Sequence, residues 1–458
     1  MYLKGVSVSM SEEFKKISYR QLFYFFLPLA VMPAIIGISH TAVNATLARL
    51  PFPELTLAVF AVAKSISNII KSPIHMSRQV ITSLVKSVEG YYLATKFILL
   101  LSGTYFFILS LLGYTPLGGF LLSKVIGLTE PKQIAFGYVA LRIMCFIPFL
   151  EALRNIYQGI AISLKKTQLL TPGVLLRIVA ILLFLWWITY SKAVSGVVAG
   201  SLVWVVGIGI ETLFIGGALI YYYGSLEGAI EEIVIQDDEK LTLSKIIKFF
   251  IPIGLMSFLI QFVQPVIQSG IAHSHTATNS LAAYGVAWTL VMVLVGALDM
   301  LHQCSLVYSY HLDNYNWNKI RNFCVGSGAV VSSLIFITAI SPIGYWVLNT
   351  LISISEPVTE IARQVMIAFS LFPVIRAFKE AYWGVLMQQQ NTSIIGIAKT
   401  INLVVVAISF WLLVSIIDIE VAVLGAIAIS IGEGVESIVI WYYAFSKGIL
   451  EEKDYILC

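Results

Sequence analysis

The sequence is short of charge. Only 12% of its 458 residues are Asp, Glu, Lys or Arg, about half the ~25% of a soluble domain. That leaves too little charge to cover a soluble surface of this size. Cysteine is scarce as well. Cys145, Cys304, Cys324 and Cys458 are scattered, with no C-x-x-C pair, which argues against metal or redox chemistry. Cys458 is the last residue, whereas a prenylation box has its Cys four from the end. The six histidines are spread out, without an H-E-x-x-H spacing. There is no basic tract, zinc pattern or glycine-rich phosphate loop after a strand. Neither a metal site, a cofactor site nor nucleic-acid binding is therefore expected. Met1 to Lys16 is polar and charged, and the first apolar block is too long for an h-region, so no cleavable signal peptide is read.

What the sequence has is long apolar blocks. Hydrophobic residues make up 58% of it, and mean hydropathy is +0.88. Blocks such as Leu93 to Leu112 and Ile394 to Ile417 have the ~20 residues that a bilayer core requires. The pattern predicts about twelve transmembrane helices, near 20–47, 55–75, 93–113, 133–162, 169–190, 194–223, 246–272, 279–308, 322–341, 358–388, 394–417 and 420–445. Two shorter pieces, Leu117 to Val125 and Tyr345 to Ile352, are too short to span and are expected along the interface. Short-loop charges set the orientation. Lys4, Lys15, Lys16, Arg20, Lys86, Lys96, Lys165, Lys166, Lys240, Lys319, Arg321, Lys447 and Lys453 fall on one side, and little more than Arg49, Lys124, Lys132 and Lys192 on the other. Both termini are therefore expected in the cytoplasm.

The two halves repeat each other at an offset of about 225 residues. Phe25-Phe26-Leu27-Pro28 matches Phe249-Phe250-Ile251-Pro252, and Leu57 to Ala63 matches Leu281 to Ala287. Thr129-Glu130-Pro131 matches Ser355-Glu356-Pro357, Pro148 matches Pro373, and Tyr157 with Gly159 matches Tyr382 with Gly384. Gly207, Gly209 and Glu211 match Gly432, Gly434 and Glu436. Six spans per copy is an even number, so both copies run the same way through the membrane. The expected fold is an all-α membrane protein of two parallel six-helix lobes with pseudo-two-fold symmetry about the membrane normal. The lobes are read as residues 1–224 and 245–458. Between them, 225–244 is an acidic cytoplasmic linker carrying Glu227, Glu231, Glu232, Asp237, Asp238 and Glu239.

This plan resembles the multidrug/oligosaccharidyl-lipid/polysaccharide (MOP) exporter superfamily, which includes the multidrug and toxin extrusion (MATE) transporters and the lipid-linked-precursor flippases. Leu164-Lys165-Lys166-Thr167 with Leu170, Pro172 and Leu176-Arg177-Ile178, continuing through Gly200-Ser201-Leu202 to Glu211, is similar to a stretch of the progressive ankylosis protein family. Phe26-Leu27-Pro28-Leu29 and Ser72-Pro73 to Arg78-Gln79 resemble its first two spans. The resemblance implies export of small anions such as pyrophosphate, nucleotide or citrate-like compounds. In one respect the chain departs from the extrusion transporters. They often carry an acidic residue in the first span, whereas Leu22 to Leu47 has none and offers only His40 and Asn44.

Ionisable residues inside a bilayer are costly and mark cavities or partners. The first copy carries Lys64, Lys71, Arg78, Arg142, Arg154 and Arg177 in or near its spans, against only Glu151 and Glu211. Such an excess suits anionic groups, which Arg grips through two donors. His40, Asn44, Lys64, Arg78, Arg142 and Arg177 are the candidate cavity residues. Glu151 and Arg154, three apart, either pair on one helix face or line the cavity. Arg376, Lys379 and Glu380 mirror them. Lys71, His75 and Arg78 either snorkel from a span end or face the cavity. Arg177 is either a substrate contact or the partner of Glu211. Glu211, Asp299, His302 and Glu436 are the coupling candidates, each with a structural alternative; Asp299 and His302, three apart, either relay protons or pair.

The expected function is a secondary active exporter working by alternating access, with an anionic or amphiphilic substrate. The alternative is a flippase for a lipid-linked anionic precursor. A membrane-embedded enzyme fits less well, because no catalytic motif is clustered. No nucleotide-binding domain is read, so the energy would come from an H+ or Na+ gradient or from the substrate's own gradient. The expected partners are the lipid bilayer and the solute, with the protein a monomer.

Overall fold

The structure is a computed structural model describing residues 17–448, except 48, 127, 129, 192–193, 234–239, 274–276, 309–313 and 353–354. Lys4, Lys15, Lys16, Lys192, Lys453, Thr129, Asp237, Asp238, Glu239 and Cys458 lie outside the described residues. The first half has eight main helices: α1 (Tyr19–Leu47), α2 (Pro53–Lys71), α3 (Ser77–Leu84), α4 (Val88–Tyr114), α5 (Pro131–Met144), α6 (Ile147–Ser163), α7 (Leu170–Ser191) and α8 (Gly196–Tyr223). The second half repeats them in order: α9 (Leu243–Ala272), α10 (Ala277–Val295), α11 (Leu301–Tyr308), α12 (Asn314–Ile340), α13 (Glu356–Ala368), α14 (Phe372–Gln388), α15 (Ser393–Ile416) and α16 (Val421–Ser446). Each helix of the first half thus has its counterpart eight places on.

Two spans in each half are built from two helices. A 3-10 turn, Ser72–Met76, joins α2 to α3, and another, Leu298–Met300, joins α10 to α11. The α10–α11 pair is bent by 41°. Among the described residues, 11 helices or helix pairs are long and apolar enough to cross a membrane, and 12 if the bent pair is one span. The chain is an integral, multi-pass membrane protein. Its second span reaches Leu84, beyond the expected end near 75. Ser72-Pro73 breaks the helix there, and the polar run that follows is helical again. Lys71, His75 and Arg78 consequently lie mid-span, and Lys71 is buried rather than snorkelling.

In lipid every backbone group needs an internal partner, and a proline removes one donor from the ladder. Pro28 lies inside α1 and Pro252 inside α9. One turn before each, a carbonyl is braced by a threonine from the start of another span. Thr167 donates to Phe25 O at 2.9 Å, and Thr392 to Phe249 O at 2.8 Å. Pro148 and Pro373 sit in the first turns of α6 and α14, where a missing N–H is harmless. Both of these helices end at a left-handed residue, Lys165 (φ 58) and Gln390 (φ 62). The repeat therefore extends to backbone conformation.

Gly384 of α14 lies under α11. A Cβ there would stand 2.2 Å from the His302 carbonyl oxygen, so only glycine permits this approach. Gly159 of α6 plays the same part under α3, where a Cβ would meet the Ile81 side chain at 2.7 Å and Arg78 O at 3.2 Å. These contacts hold α3 and α11 where their polar residues face inward.

The hydrophobic residues form three buried clusters. One joins both halves at the end where α1 begins; Leu22, Ile160 and Leu219 meet Ile246, Leu306 and Met387 in it. Toward the other end each half has its own, around Val59, Leu141 and Ile188 in the first and Ala287, Phe369 and Ile429 in the second. Large apolar side chains such as Leu100, Leu183, Leu213 and Trp411 are exposed on the periphery, where lipid replaces water. Tyr221, Tyr222 and Tyr442 stand exposed near the ends of α8 and α16, and Trp186, Trp187 and Tyr190 near the end of α7, as expected of interfacial aromatic belts.

Candidate functional site

A cavity of about 510 Å³ lies between the two halves. The helix breaks place its polar groups. The α2–α3 turn carries His75 into the wall with Arg78 and Gln79 just after it. The α10–α11 turn does the same for Asp299, followed by His302. The floor is the cluster that joins the halves.

In the first half's wall, Lys71 Nζ donates to both oxygens of Glu151, at 2.8 and 2.9 Å. Glu211 accepts from Gln158 Nε2 at 2.9 Å and from Arg177 Nη1 at 3.0 Å, with Arg154 at 3.8 Å. Arg78 differs from these. Its Nη1 donates to Gln158 Oε1 at 3.2 Å and its Nη2 to Met300 Sδ at 3.7 Å, both neutral partners. Its Nε, like those of Arg154 and Arg177, is buried without an acceptor among the described residues. Lys64 Nζ lies 4.9 Å from the Trp204 ring centroid, a favourable place for a cation in a desolvated wall.

The second half's wall is a closed ionic network. Arg376 Nε donates to Asp299 and its Nη1 lies 3.6 Å from Glu433. Lys379 donates to Glu433 and lies 3.5 Å from Glu436 and 3.8 Å from Glu380. Lys399 donates to Glu436 at 2.9 Å, with Glu433 at 3.8 Å. His302 Nδ1 meets Glu380 at 2.8 Å, and its Nε2 meets the Gln303 and Gln79 amide nitrogens at 2.8 and 3.2 Å.

Charge is therefore unequally distributed. Lys64, Lys71, Arg78, Arg154 and Arg177 of the first half face Glu151 and Glu211. In the second, Arg376, Lys379 and Lys399 face Asp299, Glu380 and Glu436, with Glu433 behind them. The first wall is left positive, and the second is balanced to within one charge.

Of the sequence candidates, Lys64, Arg78, Arg177, Glu211, Asp299, His302 and Glu436 line this one cavity. Arg142 does not. Its Nε donates to Gly113 O at 2.7 Å and its guanidinium lies 4.8 Å from the Tyr114 ring, so it caps the end of α4 at the surface. His40 and Asn44 belong to α1, but their side chains lie outside the described residues. Glu151 and Arg154 do not pair, because Lys71 and Glu211 reach them from other helices. Asp299 and His302 do not pair either; each has its own partner on α14. Arg177 is the partner of Glu211 and also lines the cavity. Sequence reasoning missed Lys399 and Glu433. Lys399 is a lone charge inside the block Ile394 to Ile417, and Glu433 lies between the two repeat glycines.

Residues 238–450 match the sequence model of the family described as progressive ankylosis protein (ANKH). Solved structures with the same fold include an outward-facing multidrug resistance MATE family transporter of the MOP superfamily, at 14% identity and TM-score 0.73, with 95% of this chain and 97% of that one covered. A MATE transporter from Vibrio cholerae aligns at 13% identity and TM-score 0.72, covering 94% and 98%. A MOP superfamily transporter from Pyrococcus furiosus, described as having a binding pocket of reverse polarity, aligns at 14% and 0.70, covering 94% and 95%. The chain has the MATE fold, and its C-terminal half matches the progressive ankylosis family model, in line with the resemblance read from the sequence.

Proposed function

We propose that the protein is a secondary transporter that exports an anionic or amphiphilic solute through the central cavity by alternating access of two lobes, residues 1–224 and 245–458. The observation that carries this reading is Arg78. It is a guanidinium in the cavity wall whose hydrogen-bond partners are an amide and a thioether, with Arg154 also in that wall. Such a group desolvated without a carboxylate is costly, and an anionic substrate supplies the missing counter-charge. Arg binds phosphate or carboxylate through two donors, which adds orientation to affinity. Glu211 and Glu151 do not fill this role, since Arg177 and Lys71 already hold them.

The loops at the end where α1 begins hold Arg20, Lys86, Lys165, Lys166, Lys319 and Arg321, which supports a cytoplasmic placement for that end and for both termini. The shared core then closes the cytoplasmic side, and the separate cores leave the outer side free to part. Uptake by proteoliposomes, assayed with pyrophosphate, a nucleotide, citrate, a lipid-linked phosphate and a cationic dye, tests the assignment. Uptake of the soluble anions is expected. Selective movement of the lipid-linked phosphate would make the protein a flippase, and preference for the dye would overturn the anion reading.

A further inference from the structure

The repeat brings two equivalent glutamines together. Gln79 follows Arg78 in α3, and Gln303 follows His302 in α11, 224 residues on in each case. Both amide nitrogens point at the same atom, His302 Nε2. The contact from Gln79 crosses between the halves, at the cavity floor, with Gln79 and His302 both buried. The other ring nitrogen, Nδ1, faces Glu380 Oε2 at 2.8 Å. A carboxylate only accepts, so Nδ1 carries the hydrogen and Nε2 accepts, as in a neutral imidazole. The amide oxygens of Gln79 and Gln303 are both buried without a hydrogen-bond partner among the described residues.

A buried, unpartnered amide oxygen is costly, and here two flank one imidazole. Half a turn of an amide exchanges its nitrogen for its oxygen at nearly the same place. If Nε2 gains a proton, each oxygen becomes an acceptor for it at the distance its nitrogen now occupies. The site thus has one set of heavy-atom positions for two protonation states: in the charged state the two oxygens share the Nε2 proton, and the amide nitrogens take the places that the oxygens now hold. The position equivalent to His302 in the first half is Arg78, which is always charged. The second half carries a side chain that titrates there.

We propose that His302 with Gln79, Gln303 and Glu380 is a proton-operated latch between the halves. Proton uptake on Nε2, with rotation of the amides, replaces neutral hydrogen bonds by charge-assisted ones, which are roughly twice as strong. The proton comes from solvent in the cavity, and no bond other than N–H forms or breaks. The closed floor is therefore favoured when Nε2 holds the proton, at low pH, and weakened when that proton is lost. The other charged groups around it are the following. Glu380 has Lys379 at 3.8 Å, Asp299 is held by Arg376, and Arg78 and Arg154 stand across the cavity on α3 and α6. From α12 comes the buried thiol of Cys324, and among the described residues α1 adds Met32, Pro33 and Ile36 to the wall.

The latch rests on the rocking-lobe reading but is tested without transport. Nitroxides on cysteines introduced at the exposed positions Tyr221 and Tyr442, with Cys458 removed, report the separation of the halves at the floor end by pulsed electron paramagnetic resonance in nanodiscs. Between about pH 5 and about pH 8 the population with the floor closed should fall severalfold. In His302→Gln, which is neutral throughout, that dependence should vanish. In Gln79→Leu, which keeps His302 and its partners within its own half, it should fall at least severalfold. A pH response of normal size in either variant overturns the latch, as does its absence in the unmodified protein. If the response is as expected while no anion is taken up, the latch stands and the anion assignment falls. Anion uptake without the response has the opposite meaning.

Discussion

The two walls of the cavity are copies of one design with opposite electrostatic solutions. Glu211 and Glu436 are equivalent and both are held by a cation, Arg177 at 3.0 Å and Lys399 at 2.9 Å. Around the second pair, Lys379, Arg376, Glu433, Asp299 and Glu380 close a network in which every charge has a partner. Around the first, Lys64, Lys71, Arg78 and Arg154 outnumber the one further acid, Glu151. The position of Glu151, which binds Lys71, is taken in the second copy by Arg376, which binds Asp299. The two copies share a framework and differ in the charges placed on it. A fully paired wall is a stiff structural element, whereas a wall with excess charge has capacity left to bind.

That difference makes the second wall the one to break first. Lys379 touches three carboxylates, and Lys379→Met strands them in a buried site. A loss of ~3–5 kcal/mol is expected, seen as aggregation or a large fall in Tm on extraction. Survival with a normal Tm would mean that Arg376 and Lys399 can hold the network alone.

The paired glycines come next. Gly384→Ala drives a methyl group into backbone, the His302 carbonyl, and should destabilise by about 3 kcal/mol. Gly159→Ala meets first the side chain of Ile81, which can yield, and about 1 kcal/mol is expected. Thermal unfolding of the two variants side by side checks the order. Equal shifts would show that α3 and α11 are not seated by their glycines as described. The smallest effect belongs to Arg142→Gln. The residue caps the surface end of α4 rather than the cavity, so uptake should stay within about twofold of normal, and stability should change by under about 1 kcal/mol.

Much of the fold was legible in the sequence. Its repeat is anchored on residues that are rare in apolar helices: Pro28 and Pro252, Gly159 and Gly384, Glu211 and Glu436. These reappear as braced prolines, helix contacts and equivalent ion pairs. The cavity was legible only in part. Lys399 and Glu433 fall opposite Val174 and Ile208 in the repeat, so matching the copies could not find charges that only one copy has. Side-chain pairing stayed open where spacing along one helix was the guide. Glu151 and Arg154 share a face, but a buried charge takes its partner from whichever helix presents one, and the sequence does not say which helices face each other. The polar run after Ser72-Pro73 resembled the end of a span because hydropathy measures how much polarity a segment has. It does not record that the polarity faces a cavity.

The central claim is that the first wall's unmatched positive charge holds an anion. Reversing it at Arg78, by Arg78→Glu, tests this most directly in the proteoliposome panel, with a monodisperse elution profile confirming that the variant is folded. Uptake of pyrophosphate, nucleotide or citrate should fall by at least about tenfold, equivalent to ~1.4 kcal/mol, and the cationic dye should be taken up relatively better. Anion uptake that persists at the normal rate in Arg78→Glu would contradict the claim.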